Sequence, residues 1–217
     1  MRKLVQGIVD FRRKRRPDYA GTFSRLALRQ KPDALYIACS DSRVQANVFA
    51  SSEPGDLFVV RNPGNLVSPA GRDGRSVADE SEAAAIEFGL DVLEVRDIIV
   101  CGHSGCGVMA ALEHGRENVR WPHLRSWMRH ADAALERLRR GEGDQERLPQ
   151  DRLSQLNVLL QLEHLRSYEP VKRRAPTLHA WWFEIGAAEV HAWDPGAGAF
   201  RAIDEDHAAR ILRQIAR

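Results

Sequence analysis

The run Asp97-Ile98-Ile99-Val100-Cys101-Gly102-His103-Ser104-Gly105-Cys106-Gly107 decides the fold. Its first half is short, continuously apolar and β-branched, the pattern of a strand covered on both faces of a sheet. Its second half turns polar and glycine-rich, setting a histidine and a cysteine just past the strand's end. Upstream, Ile86, Gly89, Leu90 and Leu93 fall at i, i+3, i+4, i+7, so a helix delivers the chain to this strand. Ala34 to Ala38 and Leu57 to Val60 are apolar runs of the same kind, and helical patterns separate the three. The expected fold class is therefore α/β, a mostly parallel central sheet flanked by helices.

Working outward, Val108 to His114 reads as a helix, and Leu153 to Leu165 reads as a helix that is apolar on more than one face. Such a helix needs cover, either inside the fold or from a second subunit. Leu178 to Ile185 and Glu189 to Trp193 are Trp-containing runs joined at Gly186, resembling a late hairpin or edge strands. Ala208 to Ile215 closes the chain as a helix, and the polar stretch Arg140 to Arg152 reads as a loop. Near the start, Leu4, Ile8 and Phe11 mark an amphipathic helix that ends in the solvated run Arg12 to Arg16. The expectation is one domain over 1–217, with a helical arm over about residues 1–30.

Composition narrows the function. A chain of 217 residues can bury a full core without covalent help. Its 32 Lys and Arg against 30 Asp and Glu leave a formal charge of +2, which gives no strong field for nucleic acid. Cysteine occurs only at Cys39, Cys101 and Cys106, an odd, sparse count that argues for a reducing compartment. No run approaches the 18 or so apolar residues of a membrane span, and the first residues lack the apolar core of a secretory signal. A cytoplasmic protein with no membrane partner is expected.

The chemistry lies in two segments that follow predicted strands, Cys39-Ser40-Asp41-Ser42-Arg43 and Cys101 to Gly107. Loops leaving the carboxyl ends of strands form the ligand crevice of open α/β sheets, which can bring Cys39 near His103 and Cys106. Two thiolates and an imidazole are a three-ligand zinc set that leaves a fourth position open, and the soft sulfurs favour zinc over magnesium or calcium. Because two thiolates nominally cancel the ion's charge, a water bound there is less acidified than beside three imidazoles. Asp41 would accept a hydrogen bond from it, and Arg43 would keep Asp41 ionised and oriented. A closed site made of Cys39, Cys101, His103 and Cys106 is the structural alternative. The single residue between Cys101 and His103 is tighter than paired structural ligands use, so Cys101 is read as packing.

These residues resemble the β-class carbonic anhydrases, zinc enzymes that interconvert carbon dioxide and bicarbonate. The resemblance runs through Cys-Ser-Asp-Ser-Arg, Glu-Pro-Gly-Asp-Leu-Phe-Val-Val-Arg-Asn and Cys-Gly-His-Ser-Gly-Cys-Gly to the late strands. It implies Cys39, His103 and Cys106 as zinc ligands and Asp41 with Arg43 as the catalytic dyad. It further implies substrate contacts from Gln30 and the Gly107 N–H, a Phe58 that lines an apolar pocket at a subunit interface, and a homodimer often assembled into tetramers. The implied reaction is attack of zinc-bound hydroxide on carbon dioxide. Departures stand at Ser81, Ala83 and Phe88, where two glycines and a tyrosine are common, and at Pro63. They leave room for a different small linear substrate such as carbon disulfide, and a non-catalytic zinc scaffold is the reading from another class. Some members hold bicarbonate in a separate pocket of Trp, Arg and Tyr. Here the matching positions are Tyr36, Arg61 and Phe183, which points to a site that stays open at neutral pH.

Overall fold

A computed structural model describes residues 1–50 and 52–215. The strands are β1 (Ala34–Cys39), β2 (Leu57–Asn62), β3 (Asp97–His103), β4 (Thr177–Glu184), β5 (Glu189–Asp194) and β6 (Ala199–Ala202). They form one sheet in the order β2-β1-β3-β4-β5-β6. The four strands from β2 to β4 pair in parallel, and β5 and β6 extend the sheet antiparallel through the hairpin expected around Gly186. The helices are α1 (Arg2–Asp10), α2 (Arg16–Leu26), α3 (Ala46–Phe49), α4 (Glu80–Glu87), α5 (Gly107–Glu113), α6 (Pro122–Trp127), α7 (Asp132–Arg139), α8 (Pro149–Leu165), α9 (Glu169–Arg174) and α10 (Glu205–Ile215).

Alternation along the strands divides the core. Leu35, Ile37, Ile98 and Val100 pack on one face against Val158, Leu162 and Leu165 of α8. Tyr36, Ala38, Ile99 and Cys101 pack on the other with Val44 and Phe183. Each fully buried side chain of this size contributes about 1.5–3 kcal/mol relative to exposure, so the alternation fixes the register. Helix α8 buries ten residues, four of them polar (Ser154, Gln155, Asn157, Gln161), and lies against α5, α7, β3 and β4. Its cover comes from this chain, so it supplies no argument for a second subunit. It also begins at Pro149 rather than after the polar stretch, because proline's fixed φ and missing N–H suit a first helical turn.

The basic run does not end the amphipathic helix. Phe11–Arg15 continues as a π-helical turn that joins α1 to α2, with Pro17 at the new start. Neither helix buries a residue, and Leu4, Val5, Ile8, Phe11 and Phe23 are exposed. Among the described residues, no helix is long and apolar enough to cross a membrane.

Candidate metal centre

The parallel strands β1 and β3 are neighbours, so their carboxyl ends bring Cys39 and His103 side by side. Cys106 follows three residues later at the start of α5. The Cys39 and Cys106 sulfurs and a His103 ring nitrogen all lie within 4.8 Å of one another, and all three residues are buried.

Cys39 and His103 are held from behind. Arg61 of β2 donates from Nε and Nη2 to the Cys39 carbonyl at 3.1 and 2.7 Å, and from Nη2 to the Asp41 carbonyl at 2.7 Å. The Gly64 N–H reaches the Cys39 sulfur at 3.4 Å. The turn that aims it depends on Gly64 at φ 85°, where a Cβ would meet Val108 at 2.9 Å. Pro63 fits this turn, its carbonyl accepting the Trp127 indole N–H at 2.9 Å. His103 Nδ1 lies 2.9 Å from the Ser104 carbonyl. A carbonyl only accepts, so Nδ1 carries the proton and Nε2 keeps a free lone pair. That Nε2 is buried with no hydrogen-bond partner. An orphaned imidazole nitrogen facing two thiols in a shell of Leu66, Met109 and Leu112 fits a thiophilic dication.

The electrostatics agree. Cys106 beside it draws the Cys39 thiol down against the opposing pull of burial, and the same contact together with burial pushes Cys106 up. Burial pushes Cys101 up to about 12, and its side chain belongs to the opposite face of the sheet with Tyr36 and Ala38. It lies outside the ligand group, as its spacing predicts.

Asp41 accepts three bonds from Arg43: backbone N–H and Nε to Oδ1, each at 2.9 Å, and Nη2 to Oδ2 at 2.7 Å. The guanidinium holds the Asp41 carboxyl well below the usual carboxylate range. Exposed ion pairs add little to stability, so the fork's effect here is orientation. Asp41 Oδ2 faces the ligand group, 3.9 Å from His103 Nε2.

Gln30 and Phe58 are not brought to this group. Gln30 is exposed before β1, and Phe58 pairs with Leu35 near the start of β2. Cys39 stands at the other end of β1, four strand residues on from Leu35 or about 13 Å at 3.3 Å per residue. Phe58 packs instead against Phe88, with ring centroids 5.8 Å apart, so one departure from the resemblance sits in the Phe58 pocket. Ser81 donates its N–H to the Asp79 cap of α4, and Ala83 packs against the core. Gly107 opens α5 beside Cys106. Phe183 stacks on Phe49 at 4.6 Å and is turned to that ring, while Arg61, which lines a cavity together with the largely buried Tyr36, is engaged by two carbonyls.

Sequence reasoning missed the clamps. Arg61 was legible only as an anion contact, and Ser154, which donates to the His103 carbonyl at 2.9 Å, sat unnoticed in α8. The polar residues recurring along an otherwise apolar α8 were the available signal.

A family model described as carbonic anhydrase matches residues 34–190. A carbonic anhydrase of Pseudomonas aeruginosa is 36% identical over 216 residues, covering 98% of this chain and 96% of its own. The solved β-carbonic anhydrase CcaA superposes with a TM-score of 0.84 at 33% identity, covering 94% of this chain and 92% of its own. One of two β-carbonic anhydrases of Sordaria macrospora described as tetrameric superposes with a TM-score of 0.72 at 27% identity, over 88% of this chain and 95% of its own. The chain belongs to the β-class carbonic anhydrases. Its enzymatic class is accordingly carbonic anhydrase.

Proposed function

We propose that the chain catalyses the zinc-dependent reversible hydration of carbon dioxide to bicarbonate and a proton, with Cys39, His103 and Cys106 holding the ion. The observation that carries this reading is the unpartnered, buried His103 Nε2 within 4.8 Å of both sulfurs, with the Asp41 carboxylate 3.9 Å away. Bound zinc supplies the charge that makes a water nucleophilic near neutral pH. Asp41, held ionised by Arg43, accepts a hydrogen bond from the attacking water and orients its lone pair toward the substrate carbon. Arg61 and Gly64 fix Cys39, and the Ser104 carbonyl fixes the His103 tautomer, so the site is set before substrate arrives. The Gly107 N–H meets the substrate oxygen on which negative charge grows.

Gln30 and Phe58 enter from a second copy. The carboxyl and amino ends of the strands are too far apart for one chain to supply both, and the exposed apolar face of α1 and α2 awaits a partner. We therefore propose an obligate homodimer.

The experiment is carbon dioxide hydration by stopped flow, with zinc measured on the same sample, before and after chelation. Activity that follows zinc content supports the reading. Full zinc with no hydration, or hydrolysis of carbon disulfide alone, contradicts it.

A further inference from the structure

The four residues from His103 to Cys106 are gripped from α8 as well as from β4. Ser154 Oγ donates to the His103 carbonyl at 2.9 Å and accepts the Trp182 indole N–H at 3.1 Å. The close approach of this helix is why position 102 is glycine: a Cβ there would meet Val158 at 2.7 Å and Ser154 at 3.1 Å. One turn earlier in α8, Asp151 Oδ1 accepts the Gly105 N–H at 2.7 Å, across 46 residues of sequence. Gly105 sits at φ +60°, and its carbonyl accepts from Arg43 Nη2 at 3.1 Å.

Arg43 has a half-exposed side chain, so a partner on its far side matters. The Nη2 that clamps Asp41 Oδ2 at 2.7 Å is the atom that also reaches Gly105. Shifting the Gly105 turn would move that carbonyl away and leave the guanidinium anchored by Asp41 alone. The Gly105 N–H and carbonyl lie in successive peptide planes that meet at its Cα, so a charge-assisted bond from the N–H to a carboxylate on a rigid helix anchors that Cα and, with it, the place from which the carbonyl meets Arg43.

We propose that Asp151 is a positioning residue of the reaction, holding the Gly105 turn so that its carbonyl fixes Arg43 and, through Arg43, the aim of Asp41. The inference rests on the hydration reading above. Asp151 does not touch the ligand group; it acts through two intermediaries. The bland alternative is that its charge merely favours the first turn of α8 through the helix dipole.

The test compares Asp151→Ala, Asp151→Ser and Asp151→Asn, each loaded with zinc, against the wild-type chain. Asparagine keeps a side-chain oxygen at the same reach but loses the charge. Serine keeps a polar helix start but is too short to reach Gly105, which covers the case of an alanine variant that folds poorly. The expected result is a fall of about tenfold in kcat for alanine and serine, with KM within about twofold and zinc unchanged, as for lost supporting contacts. Asparagine should recover kcat to within about threefold of wild type, since one good acceptor remains. Crystals of the alanine or serine variant should show the Gly105 carbonyl turned from Arg43. Wild-type kcat in alanine and serine overturns the proposal. So does an equal fall in asparagine, which would indicate helix charge, or a fall that follows lost zinc. An inactive wild-type chain would instead sink the hydration reading itself.

Discussion

Asp41 Oδ2 lies 3.9 Å from His103 Nε2, yet its hydrogen bonds go to Arg43. The carboxylate therefore stands beside the Cys39, His103 and Cys106 group while its described hydrogen bonds hold it to Arg43, and the proposed mechanism has it handle a water there. Asp41→Asn keeps an oxygen that can accept from Arg43 but loses the charge. It should retain zinc and fold, while hydration falls about 10- to 100-fold, as second-shell substitutions do. Stopped-flow rates with zinc content on the same sample check this, and unchanged turnover would remove Asp41 from the mechanism.

Cys101 and Cys106 are five residues apart but belong to different environments. Cys106 shares an apolar shell with Cys39, whereas Cys101 packs behind the strand with Tyr36. Cys106→Ser should lose zinc, and Cys101→Ser should keep one per chain at a packing cost of about 1 kcal/mol. Equal zinc loss in both variants would revive the closed four-ligand site.

Quaternary structure is testable by mixing. If Gln30 arrives from a second copy, a Gln30→Ala chain and a Cys106→Ser chain each cripple different halves of a shared site. Co-expressed, they should form heterodimers with one undamaged site and recover up to about a quarter of wild-type rate under random association. Sedimentation should show no active monomer. Full activity in a monomeric fraction contradicts the arrangement.

Glu82 gives a pH signature away from the chemistry. It is buried in α4 and accepts from Ser68 N at 2.7 Å and Asn62 Nδ2 at 3.3 Å. Burial, with Asp79 nearby, pushes its carboxyl up to about 8 against the opposing Ser68 bond. A folded pKa above the unfolded one means the native state binds the extra proton. Its stability contribution is therefore full below the unfolded value near 4.5 and is lost as pH rises toward 8. Glu82→Gln should flatten this slope, gaining on the order of 1–3 kcal/mol relative to wild type between pH 5 and pH 8.5. Denaturation midpoints at the two pH values check it, and parallel slopes would show that Glu82 does not titrate in this range.

The strands and the candidate group of Cys39, His103 and Cys106 were legible because both rest on local patterns. Ile98 to Val100 can only be a buried strand, and the segment after it carries His103 and Cys106 within one turn of chain. Arg61 and Asp151 were not legible, because each acts on a backbone group far along the sequence: the Cys39 carbonyl across 22 residues, the Gly105 N–H across 46. A backbone acceptor leaves no mark on composition or periodicity. The basic run Arg12 to Arg16 was legible as solvated charge but not as a continuation of helix: none of its residues is buried, and the turn that carries them leads directly into α2.

The most direct test is an anomalous-scattering map at the zinc edge from crystals grown near neutral pH. One peak per chain is expected, about 2.3 Å from the Cys39 and Cys106 sulfurs and about 2.0–2.1 Å from His103 Nε2. Asp41 should remain on Arg43, and the fourth position should be open to solvent. A peak that includes Cys101, or an Asp41 carboxylate bound directly to the metal, would contradict the account.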